Sequence, residues 1–254
     1  MLSNGQVWVR LIVGSLFCFT CIYINSISQV LIERYYLVHS KQKPLFDIGF
    51  ELLPYLAYPT VPDVLLLVFL VSILASLLIF HPKRSQVARR FLALQGAVFF
   101  LRSLSIIATI LPNPEPSCQP ASIAGSPSEN IYFEALKVAL RLRVTCGDCL
   151  FSGHVAMAHL LALLGHHFAR PYPLVQTLIW VYALALYLCI VATRFHYTID
   201  VVAAVGVTTA VWQWYHRLLR RNLPNWHPLV WYEADSQFSS AHSPLDDEHD
   251  KLLT

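Results

Sequence analysis

Residues 61–80 read VPDVLLLVFLVSILASLLIF, with a single acidic residue and no basic one. A run this long and this apolar matches the roughly 20 residues that take an α-helix across a hydrocarbon core of about 30 Å. Runs of similar character lie at about 7–30, 63–80, 91–111, 150–168, 174–193 and 199–216, six in all. A closed β-barrel is the other structure that satisfies every backbone group in lipid, but these runs lack the apolar–polar alternation of barrel strands. Composition agrees. Of the 254 residues 56% are hydrophobic and 13% charged, whereas about a quarter of a soluble domain is charged. The sequence therefore predicts an all-α, polytopic membrane protein of six transmembrane helices. Residues 1–216 are the membrane domain, and 217–254 are a cytosolic, disordered tail ending in LDDEHDKLLT. The first run exceeds the length of a signal-peptide core and is expected to remain as an anchor. The net charge of +3 is spread over loops rather than gathered in a stripe, which excludes nucleic acid as a partner.

Six crossings put both termini on one side. The loop His81–Arg90 holds four Lys or Arg in ten residues, and Arg217, Arg220 and Arg221 follow the sixth run. The positive-inside rule places these residues and both termini in the cytosol. The connections at about 31–62, 112–149 and 194–198 then face the lumen or the exterior. The fourth and sixth runs cross in the same direction, so their first residues share one lumenal depth. Those entrances carry CGDCLFSGH, residues 146–154, and HYTID, residues 196–200.

Histidine and carboxylate at such entrances suggest chemistry. His196 and Asp200 are i and i+4 and share a helix face. A carboxylate on one ring nitrogen fixes the tautomer and makes the other nitrogen a better nucleophile. His154 opposite can give a proton to a leaving group and take one from an incoming hydroxyl. Two helix N-termini meeting there, with Ser152 and Gly153 at one turn, favour an anionic phosphoryl group. The residues read as a phosphoryl-transfer site that needs no metal and no other cofactor. A polar residue at a membrane interface also has a bland reading, as a snorkelling group, and at this stage both remain open.

CGDCLFSGH and HYTIDVV closely resemble the two signature motifs of the sphingomyelin synthase family, relatives of the lipid phosphate phosphatases. KPLFDIGFELLP, residues 43–54, is similar to that family's Pro-Leu-Pro-Asp segment, with Phe46 in place of the second proline. RRFLALQGAVFFLRSLSIIATILPNP, residues 89–114, resembles a further motif, keeping Arg89, Arg90, Arg102 and Thr109 but with Phe99 where Tyr is common. WQWYH at 212–216 matches its aromatic-Tyr-His ending, so the resemblance covers about residues 43–216. It implies six spans, a lumen-facing active site, and transfer of a phospho-head group from a glycerophospholipid to ceramide with release of diacylglycerol. It implies His196 as nucleophile, Asp200 as its orienting carboxylate and His154 as acid and base toward the ceramide hydroxyl. Asp148, Ser152, Gly153, Arg102 and Tyr197 are the further candidates for substrate contact. Val155 departs from the pattern, in which Thr commonly follows Ser-Gly-His. With about six residues before the first run, no sterile-alpha-motif domain is expected there. Phosphocholine is the head group expected first, with phosphoethanolamine and phosphoinositol as alternatives. The membrane is that of the Golgi or the cell surface, and a homo-oligomer is left open.

Two other readings stand beside this one. A lipid phosphate phosphatase would use water as acceptor, but such enzymes carry a Lys-rich first motif and an Arg well before the nucleophile. Here only Phe195 separates Arg194 from His196. A non-catalytic ceramide-binding or lipid-transport protein would need none of the three residues. Arg102 lies inside the third run, as an anion partner or in an ion pair, and Asp148 either orients His154 or caps the fourth helix. Cys146 and Cys149 form a CxxC without a second one, which argues against zinc or redox chemistry. With Cys118 they offer one disulfide in an oxidising compartment. Residues 131–143 predict a short amphipathic helix on the lumenal membrane surface. Glu248, Leu252 and Leu253 match an acidic dileucine sorting pattern.

Overall fold

The structure, a computed structural model, describes residues 4–39, 43–58, 60–115, 130–143, 145–146, 149–169, 172–221 and 223–233. Among these every regular element is helical. In chain order they are α1 (Asn4–His39), α2 (Ile48–Leu52), α3 (Val61–Phe80), α4 (Arg84–Ala108), α5 (Ile131–Ala139), α6 (Gly153–Phe168), α7 (Pro173–Ala192), α8 (Thr198–Arg220) and α9 (Pro228–Glu233). The boundaries follow local chemistry. Pro62 and Pro173 sit in the first turns of α3 and α7, where a missing N–H costs nothing. Asp47, Asn130 and Ser152 accept backbone N–H groups at the starts of α2, α5 and α6.

Among the described residues, four helices are long and apolar enough to cross a membrane by length and composition: α1 over Gly5–Tyr35, α3, α4 and α7. α6 and α8 coincide with the remaining two apolar runs. With 16 residues, α6 spans about 24 Å at ~1.5 Å per residue, and α8 carries Gln213 and His216 among its last aromatics. α6 is the centre of the bundle and packs on α3, α4, α7 and α8. Val155, Ala156, Ala158, Leu160, Leu161, Ala162 and Leu164 on it are fully buried. The outer helices reverse the usual pattern. Val64, Leu67 and Val71 on α3, and Leu178, Val181 and Leu184 on α7, are exposed, as expected where lipid is the solvent. Gly96 lets α1 approach α4 closely, since a Cβ there would lie 2.7 Å from Phe17 Cε1 and 3.2 Å from Cys18 Cα.

α1 continues nine residues past the end expected from hydropathy because its extension finds partners. Arg143 Nη2 lies 2.9 Å from Glu33, while Glu134 is held by Arg34 at 2.9 Å and Arg143 at 3.1 Å. The predicted short helix forms over Ile131–Ala139 and turns Ala135 and Val138 onto Val30 of α1. It ends short of residue 143, where Arg141 adopts φ 60°.

Part of the segment read as a tail is ordered. The sequence PLVWYE forms α9, which closes the end of the bundle opposite the two motifs. Tyr232 donates to the Arg89 carbonyl at 2.9 Å, Arg90 lies 3.4 Å from Glu233, and the Tyr215 hydroxyl donates to Glu233. Arg10 stands 5.3 Å from the Trp231 ring centre. Burial, with Glu233 beside it, pushes the Tyr232 phenol above its ordinary value, so it remains a donor. Residues 234–254, with the dileucine pattern, and Cys118 lie outside the described residues. Glu233→Ala leaves the Tyr215 hydroxyl and Arg90 short of an acceptor. It is expected to cost about 1–3 kcal/mol, read as a lower midpoint of thermal unfolding in detergent. An unchanged midpoint would refute the contact's importance.

Candidate active site

The two motifs meet at the starts of α6 and α8. Asp200 is the third residue of α8, and its carboxylate is fully buried. Oδ2 lies 3.1 Å from His196 Nδ1 and accepts the Tyr197 N–H at 3.1 Å. Oδ1 accepts the Leu150 N–H at 2.9 Å, and the Asp200 carbonyl accepts from the Ser152 N–H at 3.3 Å. Leu150 takes φ 81° to present that N–H, an uncommon conformation for a bulky residue and one that cooperating contacts must hold. With Nδ1–H directed at Asp200, the His196 lone pair is on Nε2. That atom is buried and has no hydrogen-bond partner among the described residues.

The His154 ring faces His196 with centroids 6.4 Å apart and planes at 58°. Phe195 stands edge-on to His154 at 5.8 Å. The second nitrogen pair was not foreseen: His154 Nε2 lies 2.8 Å from Asp63 Oδ1, in the first turn of α3. Each histidine thus has its own carboxylate. The matched-depth reasoning that singled out the starts of the fourth and sixth runs applies equally to the start of the second, where Asp63 is the first residue. That was the signal available in the sequence.

Of the further candidates, the described ones hold the framework. Ser152 accepts the Val155 N–H at 3.3 Å and caps α6. Arg102 donates from Nε to the Phe151 carbonyl at 2.8 Å and from Nη1 to Asn25 Oδ1 at 3.0 Å. Gly153 makes room for it, since a Cβ there would lie 3.2 Å from the guanidinium carbon. Tyr197 is buried, its hydroxyl donating to the Pro112 carbonyl at 2.8 Å and accepting the Leu45 N–H at 3.0 Å. Asp148 lies outside the described residues. Asp47, which sequence reasoning did not single out, accepts from Gly49 N at 2.8 Å, Thr198 N at 2.8 Å and Thr198 Oγ1 at 2.6 Å. It starts α2 and holds the first turn of α8, on which His196 and Asp200 depend. His159, one turn below His154, is buried between the Tyr187 hydroxyl at 2.9 Å and Thr209 Oγ1 at 2.8 Å, and so lines the bundle.

Cys146 is in a disulfide, whereas Cys149 is a thiol. The CxxC is therefore not bridged on itself. Cys149, His196 and Asp200 each place a donor atom within 4.8 Å of the others, all of them buried.

Residues 145–217, which contain both motifs, match the family described as PAP2 superfamily C-terminal. Relatives at modest identity extend over most of the chain. It is 26% identical over 224 residues to a putative phosphatidylcholine:ceramide cholinephosphotransferase 3 of Caenorhabditis elegans, covering 85% of this chain and 65% of the relative. The human sphingomyelin synthase-related protein 1 is 28% identical over 222 residues, covering 85% of this chain and 53% of that one. A phosphatidylinositol:ceramide inositolphosphotransferase of Oryza sativa subsp. indica is 32% identical over 181 residues, with coverage of 66% and 55%. The chain thus spans between about half and two thirds of the length of these relatives.

Asp47→Ala removes the acceptor for two backbone N–H groups and a hydroxyl. Each buried donor left unpaired costs about 1–3 kcal/mol, so a marked fall in thermal midpoint is expected, with faster amide exchange confined to the first turn of α8. Exchange unchanged in that turn would show that Asp47 does not hold it.

Proposed function

We propose that the protein is a ceramide phosphotransferase that moves a phospho-head group, phosphocholine first among the candidates, from a glycerophospholipid to the primary hydroxyl of ceramide. The observation that carries the reading is the buried His196 Nε2, without a partner among the described residues, on a ring whose centroid lies 6.4 Å from that of His154 while Asp200 lies against Nδ1. In the first step Nε2 attacks phosphorus. The bond from phosphorus to the glycerol oxygen breaks, and His154 gives that oxygen a proton, releasing diacylglycerol. In the second step His154 takes the proton of the ceramide hydroxyl, whose oxygen attacks phosphorus, and the P–N bond breaks to restore His196. Asp63 orients His154 as Asp200 orients His196, and Arg102 positions the Phe151–Gly153 turn. No step requires a metal.

The membrane arrangement that fits is six spans, with α6 and α8 as the fourth and sixth, both termini in the cytosol and the site facing the lumen of the Golgi or the cell exterior. The Cys146 disulfide supports that side, since disulfides persist in oxidising compartments. Relatives named for cholinephosphotransfer and inositolphosphotransfer support the reaction class and leave the head group to experiment.

The test gives membranes carrying the full chain a fluorescent ceramide with phosphatidylcholine, phosphatidylethanolamine or phosphatidylinositol in turn. A phosphosphingolipid made from one donor, abolished by His196→Ala, is expected. Phosphate release from phosphatidic acid with no ceramide product would replace the transferase by a phosphatase. Asp200→Asn should lower the rate by about 10⁴, as the wrong-tautomer substitution does in the Ser-His-Asp triad. Asp63→Asn should reduce turnover with little change in ceramide KM. Equal rates for wild type and Asp63→Asn would remove Asp63 from the mechanism.

A further inference from the structure

We infer that Cys149, His196 and Asp200 also form a binding site for a thiophilic divalent cation, zinc foremost, whose occupancy blocks the site. The inference rests on the reading of His196 as nucleophile for its inhibitory consequence, though not for binding itself. The three donors come from the two motifs that meet here. All three residues are buried, and their ligand atoms lie within 4.8 Å of one another. The His196 Nδ1–Asp200 Oδ2 separation of 3.1 Å is already close to the edge of a tetrahedron with metal bonds of about 2.0 Å, which is about 3.3 Å. A thiolate at a metal–sulfur distance of about 2.3 Å needs to lie about 3.5 Å from each of them. At most about 1.3 Å of movement (4.8 Å less about 3.5 Å), within reach of rotating the Cys149 side chain, closes the set. Independent of the thiol, His196 Nε2 is a second ring donor, buried and unpartnered among the described residues.

The donor set selects the metal. Thiolate with imidazole and one carboxylate suits zinc and cadmium, whereas magnesium and calcium require an all-oxygen shell. Binding releases the thiol proton and leaves a fourth position for water or a phosphate oxygen. The CxxC spacing alone argued against zinc. What supplies the site is the carboxylate–imidazole pair from α8 folded onto Cys149, with Cys146 occupied in a disulfide and Cys149 left as a thiol. Bound through Nδ1, the metal displaces the Asp200 contact that makes Nε2 nucleophilic and leaves the ring proton on Nε2. That stops attack on phosphorus.

The test uses the full-length protein in lipid nanodiscs, purified without a histidine tag and stripped with chelator. Zinc binding by equilibrium dialysis should give one ion per chain, and a cobalt titration should show near-ultraviolet thiolate-to-cobalt absorption. Cys149→Ser should abolish that absorption and weaken zinc binding at least about tenfold, while magnesium gives no binding. Zinc should raise the thermal midpoint of wild type but not of Cys149→Ser, which shows both that the variant is folded and that the site is lost. In the ceramide assay, half-inhibition should require at least about tenfold more zinc for Cys149→Ser, with chelator restoring the wild type. Equal zinc affinity in wild type and Cys149→Ser, or no binding by folded wild type, overturns the site. Zinc bound at Cys149 by a chain that makes no ceramide product leaves the site standing and sinks the proposed function. Ceramide transfer indifferent to bound zinc overturns the blocking role.

Discussion

Much of this molecule depends on one buried carboxylate. Asp200 takes the His196 ring, the Tyr197 N–H and the Leu150 N–H on its two oxygens, while its carbonyl accepts from Ser152. An ionised carboxylate removed from water is very costly unless donors replace the lost hydration, and the cheapest donors at hand are orphan N–H groups at a helix start. Asp200 therefore performs a capping role for α8 and an orienting role for His196 with the same oxygens. Its contacts with Leu150 and Ser152 tie the first motif to the second, so the relative placement of α6 and α8 is fixed at the point where chemistry is proposed. Asp47 repeats the device one layer out, bridging the starts of α2 and α8.

Arg102 anchors the same joint from the other side. A guanidinium in the middle of a membrane-length helix must find partners, and this one takes the Phe151 carbonyl and Asn25, linking α4, α1 and the turn before α6. The proposed substrate is a phosphodiester of single negative charge. Arg102 is engaged with protein acceptors, and a site whose proposed reactive groups are two imidazoles suits that ligand better than a dianionic monoester, which needs several charged donors. Gly153 belongs to this arrangement because any side chain there would press on the guanidinium.

The helices were legible in the sequence because lipid makes hydropathy a direct record of length: α3 and α7 begin and end within two residues of the apolar runs. Elements governed by polar contacts were not. α1 outlasts its run because Glu33 and Arg34 meet Arg143 and Glu134, residues about a hundred positions away. α9 forms in a segment polar on average because PLVWYE concentrates apolar and aromatic groups that the bundle end can cover. His154, His196 and Asp200 were expected together from shared depth, the i, i+4 spacing and the family resemblance, and the depth argument applies equally to Asp63. Asp63 was not singled out there. Asp47, the Leu150 N–H and the Cys149 thiol leave no periodic trace; their roles exist only once the loops are folded onto α8.

Exposure falls steadily across the two carboxylate–histidine pairs. The Asp63 side chain is 52% exposed and that of His154 9%, while those of His196 and Asp200 are fully buried. In the proposed two-step reaction the group that must be exchanged is the alcohol, diacylglycerol leaving and ceramide arriving, and both pass on the His154 side. The phosphohistidine would form on the sealed side. Water small enough to reach His154 would still have to be positioned there to attack phosphorus, whereas an alcohol on a lipid is held at that depth by its own chains. Burial of His196 and Asp200, with partial exposure of Asp63, would in that reaction favour transfer over hydrolysis.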